Sequence, residues 1–239
     1  MIRFFLTIFS LAALLAAAGE PHTETGKLTE VTGQSAVVDV GPLPSGVSGI
    51  VLHHYDQTHA AIVASVFVTR SGEGSTTLRL LPFRGLHNPN LPTVKTPPQK
   101  GDTVILGYLY DRVLPIVPNQ KSLERARASF KKLQIIHPDL VAAELAKAKS
   151  PLPTKALLQR TCEKFDLGIV MIMFSDGTDF LDCISWEKVG HAEIAAADPK
   201  DFKQPFFNRF EKIPAPFYDW SEHKIENFDR FYKKLESKQ

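Results

Sequence analysis

Two cysteines are all that the 239 residues contain, and beyond the first eighteen positions no apolar run is long enough to span a bilayer. A stable transmembrane helix needs about 20 consecutive apolar residues. No P-loop, dinucleotide fingerprint or paired-histidine zinc helix occurs, so the sequence offers no nucleotide or metal-hydrolase signature, and no cofactor is expected. Gly46-Val47-Ser48-Gly49-Ile50 falls short of a nucleophile elbow, because G-x-S-x-G would need glycine at position 50. Strong charge of one sign is missing too. Arg3 is one of 28 basic residues; without it, 27 face 26 acidic ones. That balance gives no field to draw nucleic acid or a membrane surface.

What is present begins with export. Met1-Ile2-Arg3 supplies a positive start, Phe4–Leu15 an apolar stretch, and Ala16-Ala17-Ala18 the small residues that a signal peptidase reads. Residues 1–18 are expected to be a signal peptide, with an uncleaved anchor as the alternative. The mature domain is expected outside the cytoplasm. There, Cys162 and Cys183 are most simply a disulfide, with two buried thiols as the other reading.

The fold class expected is α+β, in three parts after the leader. Residues 19–117 read as a β-rich, barrel-like unit. Alternation marks strands over Gln34–Val40, Gly49–His54, Ala60–Thr69, Thr76–Leu81 and Thr103–Leu109. Short strands with one apolar face favour closure, which leaves no edges exposed. Residues 85–99 are proline-rich and read as a surface loop.

Residues 118–190 read as an α/β unit holding both cysteines. Leu123, Ala126, Phe130 and Leu133 recur at helical steps. Asp139–Lys149 forms a second helix, and Thr154 caps a third that runs to about Phe165. Gly168–Phe174 is uninterrupted apolar sequence, the mark of a buried strand. Asp176-Gly177 turns it into Asp179–Trp186. Residues 191–239 read as a Pro/Phe-rich wrap and a final helix, with the stripe Trp220, Ile225, Phe228, Phe231, Tyr232 and Leu235 directed at the core.

Chemistry is thinly signalled. His53, His54, Asp56 and His59 are the densest potential metal ligands, and a metal-dependent hydrolase is the weaker reading they permit. Adjacent strand residues point to opposite faces, so solvent-facing strand-end residues are the simpler reading. Asp176, Asp179 and Asp182 are too scattered for a calcium loop. Lys233, Lys234 and Lys238 lie on the final helix, where a solvated face is the default.

Two stretches carry a resemblance. They are Gly46-Val47-Ser48-Gly49-Ile50-Val51 through His59-Ala60-Ala61-Ile62-Val63-Ala64, and Gly101-Asp102-Thr103-Val104-Ile105-Leu106-Gly107-Tyr108-Leu109-Tyr110-Asp111-Arg112 on to Gln120. With His137-Pro138-Asp139-Leu140 and the paired cysteines, they resemble the N-terminal domain of PgbA-type plasminogen-binding proteins, from about residue 26 to 235. The resemblance implies a non-catalytic envelope or surface protein that captures plasminogen through its lysine-binding kringles. Kringles favour a C-terminal lysine, and receptors of the family carry a Lys/Glu-rich tail ending that way. Here Gln239 is last, so Lys233, Lys234 and Lys238 stand as the binding candidates. The alternative is a structural protein docking into an envelope complex through its aromatic C-terminal segment.

Overall fold

A computed structural model describes residues 21–85, 94–216 and 224–237. The leader at 1–18, part of the proline-rich loop, Trp220 and Lys238 lie outside the described residues. Among the described residues eleven strands and four helices follow one another: β1 (Glu24–Thr32), β2 (Ser35–Val38), β3 (Ser48–His54), β4 (Ala60–Gly72), β5 (Ser75–Leu81), β6 (Thr103–Leu106), β7 (Arg112–Ile116), α1 (Gln120–Ser129), β8 (Gln134–Ile135), α2 (Asp139–Ala148), α3 (Lys155–Phe165), β9 (Ile169–Met173), β10 (Thr178–Asp182), β11 (Lys188–Ala192) and α4 (Phe228–Glu236). None of the described helices is long and apolar enough to cross a membrane.

The expected α+β class is what the structure shows. Strands β1 to β6 close into an antiparallel barrel in the order β1-β2-β5-β4-β3-β6. Closure brings β3 against β6 so tightly that a Cβ on Gly49 would meet the Ile105 carbonyl oxygen at 2.2 Å. Only glycine fits there. β6 stops at Leu106, three residues short of the expected Leu109. Gly107 and Leu109 both take positive φ, at 70° and 64°, and turn the chain out of the barrel.

The second sheet has the order β11-β10-β9-β7-β8. β9 pairs parallel to β7 and antiparallel to β10. Its continuous apolar run is buried on both sides, as such a run requires. Ile169, Met171 and Met173 join a core with Leu123 and Ala126 of α1, with Phe130 just after it, and with barrel residues such as Val51, Val66 and Val104. Val170, Ile172 and Phe174 join a second core with α2, α3 and α4. The sheet therefore lies between the barrel with α1 on one face and three helices on the other.

The helix ends follow their capping residues. Asn119 accepts from the Ser122 amide at the start of α1, and Thr154 from the Leu157 amide at the start of α3. The expected strand Asp179–Trp186 ends at Asp182, whose carboxylate binds the Ile184 and Ser185 amides and curls the chain into a turn. Residues 188–192 form β11, so irregular chain begins after Ala192. From there Phe206 and Ile213 reach the second core, while Lys203 and Phe207 donate backbone bonds to Pro118 and Val117. In α4, Phe228, Tyr232 and Leu235 are buried and the preceding Ile225 joins them, as expected of the stripe.

Candidate functional site

The histidine group does not assemble. His53 on β3 sets Nδ1 2.7 Å from Asp102 Oδ1, just before β6, and stacks edge-on against Tyr55. Adjacent on the strand, His54 is exposed. His59 bonds Asp56 within one exposed turn. Asp56 is held down at about pKa 2, chiefly by the Thr58 amide and hydroxyl and then by His59. Among the described residues no group of three or more His, Cys, Asp or Glu side chains is placed to hold a metal.

The three aspartates around β10 also serve separate tasks. Asp176 pairs with Lys233 at 2.5 Å. Asp179, buried, takes His191 at 2.5 Å and Lys188 at 3.4 Å. Asp182 is wholly buried and receives five donors. Its Oδ2 accepts from the Ser48 amide at 3.1 Å, the Ser48 hydroxyl and the Tyr110 hydroxyl at 2.7 Å. Its Oδ1 accepts the Ile184 and Ser185 amides at 2.8 and 2.7 Å. Burial pushes the Asp182 carboxyl up, and the donors from Ser48, Ser185, Tyr110 and Ile184 oppose it. Burial, then the nearby Asp182 charge, drives the Tyr110 hydroxyl well above its usual range. This node bolts β3 of the barrel to the end of β10.

Beside the node lies a cavity of about 740 Å³ between barrel and α3. Both stretches that carried the family resemblance reach it, through Ser48, Gly49 and Ile50 and through Tyr108, Leu109 and Arg112. The disulfide Cys162–Cys183, with its Cα atoms 6.0 Å apart, forms part of its wall. It ties α3 to the residue just after β10; the final strand is β11, absent from the sequence reading. Ser48, Tyr110, Asp182 and Arg112 were not singled out from sequence as site residues. For Ser48, Tyr110 and Arg112 the usable signal was their position inside the two resembling stretches; Asp182 lies in neither.

The lysine candidates differ from one another. Lys233 is engaged twice, with Asp176 and over the Phe174 ring at 5.2 Å. Its ammonium is held in the charged form chiefly by the hydrogen bond it donates to Asp176. Lys234 is exposed on α4. Lys238 lies outside the described residues.

A closed barrel sharing its core with a disulfide-tied α/β layer defines the class: an α+β protein. The chain belongs to the family described as plasminogen-binding protein PgbA N-terminal, which it matches over residues 25–235. Two relatives, both named plasminogen-binding protein PgbA and from two strains of Helicobacter pylori, are each 26% identical over 152 residues. That stretch is 64% of this chain and 33% of each relative. The match thus spans about a third of the length of those relatives.

Proposed function

We propose that the protein is an exported binding protein that acts without catalysis and captures a protein partner, with plasminogen the first candidate. The observation that carries this reading is the family match over residues 25–235, with both relatives named for plasminogen binding. The leader-like Met1–Ala18 and the Cys162–Cys183 bridge support an oxidising compartment beyond the cytoplasm, the periplasm or the cell surface. Among the described candidates, Lys234 is the better bait for a lysine-binding kringle. Its neighbour Lys233 would first have to leave Asp176 and Phe174.

The envelope-assembly reading draws less support. It calls for an aromatic C-terminal face, and Phe228 and Tyr232 are spent on the core. Capture from serum and from bacterial envelope extract separates the two. Recovery of plasminogen, lost when a free lysine analogue is added, is the expected result. Recovery of a bacterial envelope complex instead, with no plasminogen, would reject the leading reading.

A further inference from the structure

The cavity between barrel and α3 carries an inference that the family match does not supply. Its volume of about 740 Å³ falls in the range of sites that enclose small organic ligands, about 300–1,000 Å³. Ile50, Tyr108, Leu109 and Ile184 give it apolar walls, and Ile184 is left 43% exposed at the edge. Leu109 holds φ at 64°, a left-handed conformation that costs a leucine energy and that gathers at ligand-contacting segments.

Arg112 supplies the decisive feature. It is half-buried on the cavity wall, yet among the described residues its guanidinium finds a single acceptor, the Phe165 carbonyl at 2.9 Å. Its Nε–H is buried with no hydrogen-bond partner among the described residues, and no carboxylate there pairs with it. A guanidinium is a permanent cation with five donors in a planar fork that matches a carboxylate. Left unpaired in a half-buried place, such a charge is costly, and an anion from outside would compensate it. Arg84 and Arg160 also line the cavity, against Glu163 and Asp166, so the lining is cationic on balance.

We propose that this cavity binds a small organic carboxylate, with the carboxylate facing Arg112 and the apolar body against Ile50, Tyr108, Leu109 and Ile184. Such a group comes from a free acyl acid or from the C-terminus of a peptide; both present the same anion on an apolar stem.

Calorimetric titration of the full oxidised chain tests this with decanoate and N-acetylphenylalanine as probes, and their uncharged amides as controls. At least one acid should bind saturably, one per chain, with its amide about tenfold weaker or more. Decanoate as the tighter probe identifies an acyl acid; N-acetylphenylalanine as the tighter identifies a chain terminus. Arg112→Met should weaken the preferred acid by about tenfold. Ala156→Trp, an exposed position on α3 that lines the cavity, should block it by filling space without touching the core. The proposal is overturned if neither acid binds at millimolar concentration, if acid and amide bind alike, or if binding survives both substitutions.

Discussion

Asp182 shows how much one side chain can decide. Its carboxylate gathers donors from Ser48 and Tyr110, up to 134 residues away in sequence, with two amides of its own turn. Truncation to alanine would strand several buried donors at once, each costing about 1–3 kcal/mol. Asp182→Ala should therefore destabilise by about 3 kcal/mol or more, while Tyr110→Phe, which removes one donor, should cost about 1 kcal/mol. Guanidinium unfolding midpoints read both, and equal losses would show that the node is not the shared anchor described. The metal-ligand reading of His53, His54, Asp56 and His59 meets a simple geometric fact at this scale. Strand alternation sends His53 to Asp102 and leaves His54 in solvent, so the density of ligands in sequence does not become density in space. The Ser48–Tyr110–Asp182 node was illegible for the opposite reason. Nothing in a linear sequence announces that a serine in a glycine-rich strand start will meet an aspartate at the end of a distant hairpin.

At the scale of elements, legibility followed periodicity and capping. The first three helices were readable because apolar residues recur at helical steps in α1, Asp139 opens α2, and Thr154 caps α3. Four strands were not, among them β8, which at two residues is too short to show any alternation. β1 buries Leu28 alone among its nine residues, so it has no alternation to read. β7 carries Pro115, which argues against a central strand; the position is tolerated because β8 pairs only Arg112 and Val113 and never reaches the proline. β11, Lys-Val-Gly-His-Ala, is short and lacks β-branched residues beyond Val189.

Two consequences belong to α3 and α4. The Cys162–Cys183 bridge closes a 21-residue separation, and its removal by Cys162→Ala with Cys183→Ala should cost about 3 kcal/mol. An unchanged unfolding midpoint would argue that the bridge carries no stability. On α4, burial and the neighbouring Asp179 raise the Glu236 carboxyl to about 7, with Lys188 and Lys233 pulling the other way. His191, which bonds Asp179, and Asp176, which pairs with Lys233, complete the charged surroundings. The folded protein thus binds more protons at this group than the unfolded chain between pH 4.5 and 7, and its contribution to stability falls as pH rises through that window. Glu236 is half-buried, so solvent screening leaves a swing of about 1 kcal/mol. In melting curves, Glu236→Gln should gain about 2–4 °C on the wild type from pH 4.5 to pH 8. A difference that stays constant with pH would contradict the assignment.

For the whole molecule, the main architectural fact is the shared core. Met171, Phe130 and Val66 belong to one apolar cluster, so barrel and α/β layer bury surface against each other and not merely side by side. The α+β class and the closed barrel were legible because alternation and turn spacing are local properties. The joint core was not, since β7 enters the second sheet from a stretch that reads as the end of the first unit. Family membership places this fold among proteins named for plasminogen binding, and the lysines on α4 separate into one engaged residue and one exposed. The most direct test of the account is the binding of purified oxidised protein to immobilised plasminogen, measured with and without a saturating lysine analogue. The account predicts saturable binding that the analogue abolishes and that Lys234→Ala weakens more than Lys233→Ala does. Absence of binding, or binding indifferent to the analogue, would contradict it.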